Sequence, residues 1–149
     1  MMAYNEYVRV VKGNVNIRSG PSTGEAKVGS AKLGDTFELV GEDGNWYEVE
    51  LFSGGQRFLY KSLVKVVPYR PEVPEDVEIR RQIFQEWKEI GNRAKAEADR
   101  RYPPEKNLEM NLKHEQLLGD RYRLELFQKL GVQPPAYRRI LIEGYQKGW

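Results

Sequence analysis

The chain has 149 residues, 40% of them hydrophobic and 31% charged, with a formal net charge of +2 at pH 7. That length holds one ordinary domain or two small ones, and the balance is that of a globular chain rather than a disordered one. The lack of cysteine removes disulfides, thiol nucleophiles and thiolate metal sites; the even charge argues against a nucleic-acid partner, and the apolar runs are too short for a membrane span.

The opening Met1–Tyr7 has no basic segment followed by an apolar one, so no signal peptide is read there. The protein is expected in the cell envelope if a leader has been removed, and in the cytoplasm otherwise.

From Tyr7 to Val67 the pattern has period two. Val15 and Ile17 alternate with Asn14, Asn16 and Arg18. Phe37 and Leu39 alternate with Thr36 and Glu38, and Tyr47, Val49 and Leu51 with Trp46, Glu48 and Glu50. Leu59 stands between Phe58 and Tyr60. Such alternation gives each strand one buried and one solvated face. Glycine-bearing turns separate the strands at Gly20–Gly24, Gly34-Asp35, Gly41–Asn45 and Ser53–Gly55. Five or six short strands without helix predict a small barrel, closed because an open sheet of this size exposes its edges.

The run Asn14-Val15-Asn16-Ile17-Arg18-Ser19-Gly20-Pro21-Ser22, followed by Lys32-Leu33-Gly34-Asp35, Phe37–Val40, Gly44-Asn45-Trp46-Tyr47-Glu48-Val49 and Tyr60–Val64, resembles the bacterial SH3 (SH3b) domain over about residues 7–67. The resemblance implies an all-β SH3-like small barrel that binds rather than catalyses, with peptides or cell-wall material as ligands. Where such domains commonly carry Gly-Trp-Val after the last glycine hairpin, this chain has Arg57-Phe58-Leu59.

Residues 68–74 hold three prolines and read as a stiff, extended linker between a barrel at 1–67 and a helical domain at 75–149. Beyond it Ile79, Ile83, Trp87, Ile90, Ala94 and Ala98 recur every three or four residues, which is one face of a helix. Pro74 with Glu75, Asp76 and Glu78 predicts its first turn, and Tyr102-Pro103-Pro104 its end. A second helix is expected over about 105–130, with Leu108, Leu112, Leu118, Tyr122, Leu126 and Leu130 as its buried stripe and Gly131 as its stop. A short third helix follows Pro134-Pro135, with Tyr137, Ile140, Leu141 and Tyr145 as its apolar residues. The fold class expected is therefore a small barrel followed by an all-α helical hairpin with a short third helix.

No set of residues predicts catalysis. His114, the single histidine, falls between the stripe and the solvent face of its helix, beside Glu115, without a nucleophile to serve. No metal site and no cofactor are expected. Glu48 and Glu50 point the same way from one strand, but a sixty-residue barrel offers no deep cleft to raise one pKa. They read as solvated strand residues.

Binding has better support. Alternation puts Trp46, Phe58, Tyr60, Asn16 and Arg18 on the outer wall of the barrel. Large outward rings call for a cover. One reading is a groove in which Trp46, Phe58 and Tyr60 pack a peptide or glycan stem while Arg18 and Asn16 hold its polar groups. The other is that the chain's own helices cover the rings through Phe84 and Trp87, with Arg18 bracing the Ser19–Gly24 loop. The function expected is a non-catalytic binding or scaffold protein with a protein or peptide partner, peptidoglycan included. The alternative is a structural or accessory subunit of a larger envelope or phage-like assembly.

Overall fold

The computed structural model of the protein describes residues 6–68 and 72–149. The expectations for Met1–Asn5, and for the Tyr69–Pro71 part of the linker, lie outside the described residues. The chain divides into two compact units. One holds the strands together with Gln133–Pro135; the other holds Val73–Val132 and Ala136–Trp149.

The first unit is a seven-stranded antiparallel sheet made of β1 (Glu6–Val10), β2 (Val15–Arg18), β3 (Lys27–Ala31), β4 (Thr36–Asp43), β5 (Trp46–Glu50), β6 (Arg57–Tyr60) and β7 (Val64–Pro68), in the order β3-β2-β6-β5-β4-β1-β7. Seven strands stand where five or six were expected, because a 3-10 turn at Lys61–Leu63 divides the closing segment into β6 and β7. Inward residues from every strand are buried, among them Val8, Ile17, Val28, Phe37, Val49, Leu59 and Val64. The sheet keeps two end strands, β3 and β7, and among the described residues no ladder joins them. Exposed Lys27 on β3, and Lys65 and Pro68 on β7, discourage further pairing there.

The turns follow from their residues. Asp35 accepts from the Lys32 N–H at 2.8 Å, closing the turn that Gly34 (φ +90°) makes possible. Gly44-Asn45 is a two-residue hairpin between Asp43 and Trp46, with Gly44 at φ +55°. Arg57 is buried and folds over the third hairpin, donating to the Gln56 carbonyl at 2.8 Å and the Ser53 hydroxyl at 3.4 Å. Within this unit the Thr36 N–H also donates to Gln133 Oε1 at 2.8 Å.

The second unit contains α1 (Val77–Arg101), α2 (Leu108–Leu130) and α3 (Tyr137–Lys147), the last entered through a 3-10 turn at Pro134–Ala136. Each long helix starts later than expected because a side chain caps it. Asp76 accepts from the Glu78 N–H at 2.9 Å, and Asn107 from the Met110 N–H at 3.1 Å. Gly131, at φ +71°, ends α2 as predicted.

The face of α1 is the expected one: Ile83, Ile90, Ala94 and Ala98 are buried, with Phe84 added. The stripe of α2 is the expected one only in its later part: Leu118 and Leu126 are buried, whereas Leu108 and Leu112 are 56% and 49% exposed and Asn111 and Asp120 are buried with Leu124 and Phe127. Asn111 explains part of the rotation, since its amide donates to Asp99 Oδ1 at 2.9 Å and to the Tyr102 carbonyl at 2.8 Å. Those two bonds make its burial affordable and turn Leu112, the next residue, outward. On α3, Ile140 is buried, but Tyr145 is 71% exposed.

Aromatic and ionic contacts fix the three helices. Trp87 stacks on Tyr137 at 5.5 Å, and the Arg123 guanidinium lies over the Trp87 ring at 4.3 Å. Gly91 on α1 and Gly119 on α2 leave room for that guanidinium. Gly144 on α3 gives way to the ring of Phe84. Arg80 forks onto both oxygens of Glu143 at 2.7 and 3.1 Å, and caps the carbonyls of Pro74 and Glu75.

Candidate functional site

The outer face of β2, β6 and β5 carries a groove of about 250 Å³ lined by Asn14, Val15, Asn16, Arg18, Thr23, Trp46, Tyr60 and Leu63. Register explains the gathering. Trp46 lies opposite Tyr60 across β5 and β6, and Arg18 opposite Phe58 across β2 and β6. Directly opposite residues share a face of the sheet. The Trp46 and Tyr60 rings meet edge to face at 5.3 Å, a contact worth about 0.5–1.5 kcal/mol beyond burial. Tyr60 is 38% exposed and Trp46 half-buried, so the pair forms a firm apolar wall that still meets solvent.

Polar groups face that wall. Asn16 is exposed, and Arg18 is half-buried with its Nη1 donating to the Glu25 carbonyl at 3.2 Å. That bond braces the loop after β2. The Ser22 hydroxyl accepts from the Gly24 N–H at 3.2 Å, the Ser19 N–H donates to the Ala26 carbonyl at 2.9 Å, and Thr23 is thereby set at the rim. A guanidinium has five N–H donors, so the brace leaves Arg18 capacity for a carboxylate or carbonyl.

Four of the five sequence-named residues, Asn16, Arg18, Trp46 and Tyr60, therefore line one groove. Phe58 does not. It was expected outward beside Tyr60, but it is only 4% exposed. It shares the outer register, yet β6 is an interior strand, and Phe58 is flanked by Arg18 on β2 and Glu48 on β5, both half-buried. Thr23 and Leu63 join the groove from a loop and a 3-10 turn, where alternation along a strand says nothing; the Ser22-Thr23-Gly24 turn signal was the available hint.

Other candidates fall elsewhere. His114 is half-buried with its ring against Tyr102 at 5.4 Å; burial first, then Arg101 and Arg121, lower its pKa below the ordinary histidine value. Glu48 and Glu50 lie outside the groove lining. Among the described residues no group of three or more His, Cys, Asp or Glu is placed to hold a metal ion, and no helix is long and apolar enough to cross a membrane. Phe84 and Trp87 have ring partners inside the helical unit, Tyr145 and Trp149 for the first, Phe127 and Tyr137 for the second.

Comparison with known proteins adds three findings. A Bacillus subtilis (strain 168) protein named as an N-acetylmuramoyl-L-alanine amidase is 30% identical over 66 residues, covering 44% of this chain and 13% of its own length. A crystal structure of an NlpC/P60 family protein from Bacillus cereus ATCC 10987 is 20% identical, with a TM-score of 0.36 over 57% of this chain and 27% of that one. The chain thus spans only a minor part of either protein. The family model for the bacterial SH3 domain matches residues 13–65, and that segment of the chain is a bacterial SH3 domain.

Proposed function

We propose that the protein is a non-catalytic binding protein whose bacterial SH3 domain recognises peptide or cell-wall material through the Trp46–Tyr60 groove. In this reading residues 1–67 are the recognition barrel, 68–74 the linker and 75–149 a helical domain for assembly. The observation that carries it is the convergence of an aromatic wall, an exposed amide and a braced guanidinium on one outer face. Trp46 and Tyr60 suit the apolar faces of a sugar or an aliphatic stem, and Arg18 suits a carboxylate or peptide carbonyl. The matched relative is named as an amidase of N-acetylmuramoyl-L-alanine, which favours wall material among peptide-bearing ligands. The match covers the binding segment and a small share of that protein, so recognition, rather than hydrolysis, is what it supports here.

Sedimentation with purified peptidoglycan is the test. The intact chain is expected to pellet, and Trp46→Ala to weaken that binding about tenfold or more, since the groove loses its main apolar surface. Failure of the intact chain to pellet removes the wall reading, and equal pelleting of both proteins removes the Trp46–Tyr60 groove as its site.

A second reading, an accessory or structural subunit, has its own observation. Leu108 and Leu112 stand one turn apart on α2 and are both about half exposed, at 56% and 49%. If that strip meets another subunit, Leu108→Glu with Leu112→Glu abolishes co-purification with the products of neighbouring genes and leaves peptidoglycan sedimentation unchanged. Retained co-purification would count against it.

A further inference from the structure

The Trp46–Tyr60 groove changes character along its length, and strand register shows how. Arg18 pairs opposite Phe58 on β6, with exposed Lys27 opposite it on β3. Two places along the same antiparallel pairing, Asn16 comes opposite Tyr60, and Trp46 stands beyond Tyr60 on β5. One row across the sheet is thus an amide and two rings, and the next is headed by cations. Glu48 ends that second row on β5, two strands from Arg18, or about 9–10 Å.

Among the described residues that line the groove, Arg18 is the charged one. It is half-buried, and its bond to the Glu25 carbonyl holds it in place. A guanidinium fixed and partly withdrawn from water favours an anion that takes two parallel N–H bonds. Diagonal neighbours on adjacent strands lie about 7–8 Å apart, so Arg18 and Tyr60 are separated by about two residues of extended chain at about 3.3–3.6 Å each. Thr23, from the loop that Arg18 braces, borders the Arg18 end of the groove.

We infer, taking this groove as the binding site, that its ligand is the free carboxyl end of a peptide with an aliphatic side chain about two residues before that end. The carboxylate forks onto Arg18 against the Thr23 loop, the aliphatic group lies on Trp46 and Tyr60, and Asn16 holds the peptide group between them. A neutral glycan strand offers Arg18 no anion. A peptide whose end is joined to another chain has lost its carboxylate, so the groove distinguishes open chain ends from joined ones.

The intact chain titrated with dye-labelled Gly-Val-Val-Ala, made with L- and with D-alanine and followed by fluorescence anisotropy, tests it. At least one form is expected to bind. Binding should be about tenfold or more weaker for its C-terminal amide, and for an amide in which an internal aspartate supplies the carboxylate. Arg18→Gln should bind acid and amide alike, whereas Trp46→Ala should weaken both by the same factor. Equal affinity of the parent chain for acid and amide overturns the inference, as does equal affinity for the aspartate form or an acid preference that survives Arg18→Gln. No binding of any form at millimolar peptide overturns it too. In each of these cases, peptidoglycan sedimentation that Trp46→Ala weakens still keeps the groove as the binding site, so the two readings fail separately.

Discussion

The ring of Phe84 on α1 occupies the space that a side chain at position 144 of α3 would need, so Phe84 and Gly144 fit together only because residue 144 has no Cβ. Alanine is the better helix former by about 1 kcal/mol, but a methyl group here collides with a packed ring. Overpacking of a core contact costs about 1–3 kcal/mol, so the collision wins. Gly144→Ala is expected to lower the urea midpoint of unfolding without changing its slope. A midpoint at or above that of the parent would show that the ring has room to move.

The Arg80–Glu143 pair gives an acid dependence of known sign. Hydrogen bonds from Arg80 and Lys147 hold the Glu143 carboxyl at about 2, below the ordinary 4.5. The folded state therefore favours the carboxylate, and its contribution is full above about pH 4.5 and lost as pH falls toward 2. Glu143→Gln is expected to be less stable than the parent at pH 6 and to converge with it near pH 2. Parallel stability curves over that interval would mean the pair does not contribute.

Arg18 has two roles to separate. Its bond to the Glu25 carbonyl predicts that Arg18→Ala loosens the loop after β2, seen as at least severalfold faster amide exchange at Ser19 and Glu25. Arg18→Lys should restore part of the protection, since an ammonium can reach one carbonyl, but not the ligand contact if that contact needs a planar fork. Unchanged exchange in Arg18→Ala would assign the side chain to the ligand alone.

Much of the fold was legible because alternation and helical period are local signals. Val15 and Ile17, Val49, and the Ile83–Ala98 face sit where those periods put them. The misreadings arise where a side chain's fate is set by neighbours distant in sequence. Phe58 alternates with Leu59 as expected, yet it is buried on an interior strand between β2 and β5, a position that alternation alone does not reveal. Leu108 and Leu112 keep helical spacing, yet the interior of α2 includes Asn111, whose two acceptors lie at the end of α1. A buried amide looks like a surface residue until its partners are known. Within the groove, the strand residues Asn16, Arg18, Trp46 and Tyr60 were readable, whereas Thr23 and Leu63 depend on how a loop and a turn fold back.

The cradle around Arg123 bears on how the hairpin comes into being. Gly91 and Gly119 make each arm a poorer helix by itself, and both open onto a guanidinium that rests on Trp87 of the opposite arm. A nascent chain that has released only the first arm lacks Arg123 to fill the notch. The two arms therefore gain their order jointly, once the ribosome has delivered both, and in a fragment ending before Gly119 the segment after Val73 should stay largely unstructured.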